Sequence, residues 1–217
     1  MVMSPRRPVG RPPRITVDDI ERVGVRIGLR DLTVQAVALE LGVSSTALYR
    51  HVDGKFGLET VVGERILSDL QIADNPDHDA AEHLLSSAQQ LRAFLLAHPG
   101  LPAYVQLLFP RGPAGEALLA GEVAALIRRG CSPEAAMMAT TTVALIVISV
   151  AAAEENRREH AARIPGMAER RQEALESYVD HGLPDTAMDA DAYFSYVVWS
   201  CLNGILLSSG ITYHEQR

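Results

Sequence analysis

Apolar residues recur at helical rather than alternating spacing along almost the whole chain, which predicts an all-α protein. Val17, Ile20, Val23 and Ile27 share one face, Thr16 stands where an N-cap belongs, Asp18 and Asp19 fill the first turn, and Gly28 ends the run. This is an amphipathic helix of about three turns. A second, short helix follows, capped by Thr33, with Val34, Val37, Ala38 and Leu41 inward and Gly42 supplying the left-handed residue that stops it. Ser44 caps a third, from which Leu48 and Val52 point back to the core. Two short helices joined by a glycine-containing turn have the spacing of a helix-turn-helix. From Lys55 a longer helix carries Leu58, Val61, Val62, Ile66, Leu67 and Leu70 and ends near ADNPDHD at 73–79.

Further helices are predicted at 80–98, 101–109, 114–130, 133–162, 168–180 and 190–209, separated by HPG, PRGP, GCSP, IPG and HGLPD. No segment has the β-branched alternation of a strand, and no internal repeat is visible. The chain therefore divides into an arm at 1–14, a three-helix helix-turn-helix domain at 15–60 and a helical-bundle domain at 61–217.

With 217 residues, 47% of them hydrophobic, the chain can bury a full core. The net charge of −7 conceals an asymmetry. Up to Thr60 nine basic residues face seven acids, and beyond it eleven face twenty, giving +2 and −9. Arg6, Arg7, Arg11 and Arg14 all precede the first acid, Asp18, in a proline- and glycine-rich stretch that forms no helix. A thin cationic arm of this kind suits a minor groove, with Arg11 or Arg14 making the contact, or is a solvated tail that adds general attraction to DNA.

The two cysteines, Cys131 and Cys201, lie in apolar stretches without C-x-x-C spacing, so neither a disulfide framework nor a zinc site is expected. The seven histidines form no metal-binding pair at helical spacing; no metal and no cofactor are expected. Nothing at the start resembles a signal peptide, and the expected setting is reducing and cytoplasmic. Met137 to Ala153, broken by three threonines and a serine and shorter than the roughly 20 apolar residues of a membrane span, is expected to be a buried helix. Glu154, Glu155 and His160 raise the alternative of a helical-bundle enzyme with a two-metal site. The Glu-x-x-His motif of such sites is approached only at 79–83, with Asp79 and Ala80 rather than glutamate, and no nucleophile elbow, phosphate loop or H-E-x-x-H is present, so no enzyme is expected.

The run LTVQAVALELGVSSTALYRHVDGKFGLE, residues 32–59, closely resembles the signature of TetR-family regulators, in which the helix-turn-helix ends in leucine, tyrosine, a variable residue and histidine, and a lysine opens helix four. Here these are Leu48, Tyr49, Arg50, His51 and Lys55. With the preceding helix the resemblance covers about fifty residues; beyond it, only the helix count and the order of breakers are similar to the family's ligand-binding and dimerisation domain, nearest to the tetracycline-repressor type.

Ser45, Thr46 and Ala47 are short or polar enough to meet base edges in a major groove, and Ala47 suits a thymine methyl. The resemblance implies base or near-base contacts at Gln35, Ser45, Thr46, Ala47 and Arg50, with Gln35 able to pair with adenine and Arg50 with guanine or with a phosphate. Thr33, Tyr49, His51 and Lys55 are assigned to phosphates. Tyr49 and His51 have the alternative of packing inside the head, and Ser44 is explained by its capping role alone. Residues 139–153 and 193–207 are apolar nearly all round, with the small Ala152, Ser200 and Gly204, and suit a four-helix homodimer interface on palindromic operator DNA or else the core of a monomer. The resemblance further implies a small-molecule pocket among the middle helices, for which Arg92, His98, Tyr104, Phe109, Met138 and Thr142 are the candidates, and a hydrophobic or amphipathic effector that releases a repressor from DNA. A constitutive DNA-binding protein without an effector is the alternative.

Overall fold

The computed structural model describes residues 15–108, 112–164 and 190–209, with 166, 169, 170, 173 and 176 between the last two. The arm with Arg11 and Arg14, Phe109, and most of the helix expected at 168–180 lie outside the described residues. Those described are in helices, turns and irregular links, with no strand among them. In chain order they form α1 (Val17–Ile27), a single 3₁₀ turn (Leu29–Asp31), α2 (Val34–Leu41), α3 (Ser45–Leu48), α4 (Gly54–Leu67), α5 (Ala80–Ala97), α6 (Leu101–Leu108), α7 (Pro113–Arg128), α8 (Pro133–Arg163) and α9 (Ala190–Ser209).

The boundaries follow local chemistry. The Thr16 hydroxyl accepts the Asp19 N–H while the Asp19 carboxylate accepts the Thr16 N–H, a reciprocal cap that starts α1. Thr33 and Ser44 accept from Ala36 and Ala47 in the same way. Gly42, at φ 66° and ψ 31°, closes α2 in a left-handed turn that a side chain would strain. Asp79 and Glu82 form a second reciprocal cap at α5, a D-x-x-E signal inside the polar stretch that otherwise reads only as a breaker. Val17, expected inward, is exposed; Ile15, just before the cap, packs against the core instead, as a hydrophobic residue in that position does when it pins the entry to a helix.

Ile20, Val23, Leu32, Val37, Leu48, Val52 and Leu58 are all buried and join α1–α4 into one small core. That core runs without a break into the body, where α8 packs on α5, α6, α7 and α9. The long apolar helix α8 passes a length-and-hydropathy test for crossing a membrane, but half of its apolar window is buried against those four neighbours, the position of a core helix.

Helix α4 belongs to both parts. Val62 packs toward α1, whereas one residue later the bare backbone of Gly63 admits the ring of Tyr104 from α6: a Cβ there would lie 2.4 Å from that ring. Glu64 accepts the Tyr104 hydroxyl at 3.0 Å and the Ala114 N–H at the start of α7 at 2.8 Å. Burial, followed by the Glu64 carboxylate, pushes the Tyr104 phenol above its ordinary range and keeps it a donor. A second tie joins the 3₁₀ turn to the body. The Arg30 guanidinium meets Glu155 and Glu159 of α8, both at 2.8 Å, the Arg30 backbone N–H donates to the Pro99 carbonyl, and Glu155 also accepts the Gly100 N–H at 2.7 Å.

Candidate functional site

The helix-turn-helix presents two kinds of surface. Leu48 and Val52 anchor α3 to the core, and this leaves Thr46, Tyr49, Arg50 and His51 exposed, with Ser45 and Ala47 half-buried at the helix start. Gln35 is exposed in the first turn of α2, and Lys55 in the first turn of α4, where it pairs with Glu59 at 3.3 Å. Among the described residues the side chains of Gln35, Thr46, Tyr49, Arg50 and His51 make no hydrogen bond or ion pair. Tyr49 and His51 thus take the outward alternative rather than packing in the head. Thr33 uses its oxygen as a cap, which leaves its hydroxyl proton to donate.

The ladder of α3 is short. After Leu48 the chain continues in tight turns, with the N–H groups of His51 and Val52 both donating to the Leu48 carbonyl. The exposed tyrosine, arginine and histidine therefore stand on a compact shoulder instead of a long helix.

In the body, a cavity of about 50 Å³ lies between α4, α5, α6, α7 and α8 and the segment after α4. Its wall is apolar, from Leu67, Leu70, Leu84, Val143 and Ile148 among others, except for Ser87, Glu122 and Thr140. None of Arg92, His98, Tyr104, Met138 and Thr142 lines it. Arg92 is instead a strut: its Nε and Nη2 donate to the two oxygens of Glu154 at 3.0 Å each, its Nη1 reaches Asp191 at 2.7 Å, and its guanidinium lies 4.8 Å from the centre of the Phe194 ring. Burial works against its charge, but these carboxylates outweigh it and raise its pKa. His98 accompanies Phe94 and bonds to the Phe94 carbonyl. Tyr104 serves the junction with α4, Met138 faces outward and Thr142 is half-buried. The acids weighed for a metal site are held in ion pairs, Glu154 with Arg92 and Glu155 with Arg30, while His160 bonds to the Asn156 carbonyl of its own helix.

Sequence reasoning missed Glu122 and what lies behind it. The fully buried His83 ring stands between Asp74, 3.3 Å from Nδ1, and Glu122, 3.2 Å from Nε2, with the Ser87 hydroxyl 3.4 Å from the latter nitrogen. Arg129 and Arg128 close on Asp74 and hold its carboxyl down at about 2. The only hint in the sequence is the pair of adjacent arginines ending α7, which reads as an ordinary basic helix end.

An all-helical chain with an N-terminal helix-turn-helix fused through α4 to a helical body has the fold of the TetR family of regulators. The Streptomyces coelicolor TetR family protein ActR in complex with actinorhodin superposes with a TM-score of 0.71 at 23% identity, over 90% of this chain and 97% of that one. A single-substitution variant of TetR from Acinetobacter baumannii AYE in complex with minocycline gives 0.61 at 18% identity, over 89% and 95%. Mycobacterium smegmatis BioQ gives 0.63 at 21% identity, over 90% and 96%. No family model matches the sequence, and no curated protein matches it significantly.

Proposed function

We propose that this chain is a TetR-type transcriptional repressor that binds palindromic operator DNA as a homodimer and leaves it when a small, largely apolar molecule enters the body. The observation that carries this reading is the outward, unpartnered set Gln35, Thr46, Tyr49, Arg50 and His51 on a capped helix-turn-helix. Polar side chains with no partner of their own are free to meet base edges and phosphates without first breaking internal bonds. The boundary between head and body is drawn near Thr60, within α4.

One head reads too few base pairs to find one operator, so a second copy is needed, and α8 and α9 carry the surface for it. On α8 Met138 and Leu145 are exposed, the latter 53%; on α9 Tyr193, Tyr196, Ser200, Asn203 and Gly204 are exposed, Tyr196 62%. Each set lies along one stripe at spacings of three, four and seven. Ala152 is buried within the protomer and takes no part. Packing the two stripes against their copies gives a four-helix interface.

Effector coupling follows from α4. Leu67 at its end and Leu70 just beyond it line the cavity, while Leu58 and Val62 hold its beginning in the head. At about 50 Å³ the cavity accepts only a few atoms as it stands. A larger ligand must part α4 from α7, and that displacement swings the head and alters the spacing of the two recognition surfaces. Two structural neighbours hold actinorhodin and minocycline, which supports a ligand-taking body.

The dimer is tested at Gly204, where none of the described residues lies within 4 Å of an added Cβ. Gly204→Arg is expected to fold with an unchanged circular-dichroism spectrum, to halve the mass seen by light scattering and to lose operator binding. A Gly204→Arg protein that stays dimeric and binds operator rules out this interface.

A further inference from the structure

The geometry points to a cationic amine on an apolar body as the ligand of the α4–α5–α6–α7–α8 cavity, with Glu122 as its counter-ion and Thr140 and Ser87 as its hydrogen-bonding partners. This deepens the ligand-released reading above and rests on it. Three observations converge.

Thr140, only 6% exposed, lines the cavity, and among the described residues its hydroxyl has no hydrogen-bond partner. A threonine inside a helix ordinarily donates back to a carbonyl one turn earlier, and a buried polar atom left alone is costly. The oxygen is closed off while the cavity is as small as this, and a ligand that parts the surrounding helices would give it a partner.

Glu122 lines both this cavity and an adjoining surface groove of about 370 Å³. The two share Leu67, Leu70, Ile72, Leu118 and Glu122, so the groove adjoins the cavity at this carboxylate, with Asp74 and Arg128 also lining the groove. Among the described residues the one charged or chargeable group within ion-pair distance of Glu122 is His83. The nearby cations Arg128 and Arg129 are committed to Asp74. Among the described residues no arginine or lysine uses the acceptor capacity of Glu122.

Charge then selects among ligands. In an apolar, partly enclosed site a carboxylate attracts an ammonium far more strongly than in water and repels a carboxylate ligand by the same reasoning. An ammonium entering an apolar cavity must find a counter-charge or not enter, and Glu122 is that counter-charge. The excess of nine acids beyond Thr60 favours cations at longer range as well.

The test uses the full-length protein and three probes that share a ring and differ in charge: benzylamine, benzyl alcohol and benzoate, titrated at pH 7 by calorimetry. Benzylamine is expected to bind at least about tenfold more tightly than the other two. Glu122→Gln is expected to bring benzylamine and benzyl alcohol within about threefold of each other. Thr140→Val, which keeps shape and charge, is expected to weaken benzylamine while preserving its preference over benzoate. Benzyl alcohol or benzoate binding as well as benzylamine overturns the assignment, as does failure of all three to bind at millimolar concentration, or a preference that survives in Glu122→Gln. Operator affinity measured alongside separates the two readings: a Glu122-dependent amine preference with unaltered operator affinity upholds the site and removes only its regulatory role.

Discussion

Replacing Arg92 by alanine lowers the stability of the protein by about 3–5 kcal/mol, the usual consequence of leaving a buried charge without its partner. Arg92 is 11% exposed and Glu154 5%, and their two-pronged contact joins α5 to α8 while the third arm of the guanidinium reaches α9. Without Arg92 the cation left beside Glu154 among the described residues is Arg158, at 3.7 Å and largely in solvent. For a chain of this size the melting temperature falls by about 6–20 °C at fixed protein concentration. The double substitution Arg92→Met with Glu154→Leu recovers most of the loss, because apolar side chains of similar volume remove the unpaired charge as well as the pair. Thermal unfolding of the three proteins checks this, and a single-variant loss below about 1 kcal/mol, the value of an exposed ion pair, contradicts it.

Arg50→Ala costs about 1–3 kcal/mol for each head if the guanidinium reads a guanine, and a dimer carries the loss twice. Operator affinity then falls by at least about thirtyfold, and discrimination at one symmetric pair of base positions relaxes. Lys55→Ala acts differently. Its ammonium is free to leave Glu59 for a phosphate, so its loss weakens all sequences alike and reduces the slope of log affinity against log salt by about one for each head. Anisotropy titrations of operator and scrambled duplexes at several salt concentrations separate the two. If Arg50→Ala lowers the slope and leaves discrimination intact, its contact is a phosphate.

The head was legible in the sequence because its signals are local. Thr16, Thr33 and Ser44 cap within three residues of themselves, and Gly42 stops α2 by its own backbone angles. Tyr49 and His51 were open to two readings, since exposure depends on which way a four-residue helix is rolled, and Leu48 and Val52 decide that roll from the core side. Helices α5 to α9 were equally legible, each within two residues of its expected limits, but their faces were not. A helix apolar all round, such as α8, gives no moment to separate the side turned to its own core from the side turned outward, so its pattern does not tell that Met138, a pocket candidate, stands on the surface. Arg92 is a pocket candidate only through the family resemblance, and its partner Glu154, 62 residues away in the chain, cannot be read from local spacing. The cavity was illegible for a related reason. Leu84, Ala88 and Val143 are ordinary core residues, and only the packing of five helices decides that they border a void. Glu122 would have needed its distance to His83, 39 residues earlier, to stand apart from any solvent-facing acid.

The cavity also bears on the choice between a sensor and a constitutive DNA binder. It is present, apolar and supplied with an unpartnered hydroxyl, but it is small, so the sensor works only if α4 and α7 move apart. That requirement places the effector and the operator in opposition through the same helix.

A repressor of this kind depends first on paired heads that read an inverted repeat. Selection of genomic fragments by the purified full-length protein measures this directly. A sequence-specific palindrome is expected, with half-site centres about 34–36 Å apart and bound with strong salt dependence. Recovery of fragments that share no repeat, or binding by Arg50→Ala indistinguishable from that of the unaltered chain, would contradict it.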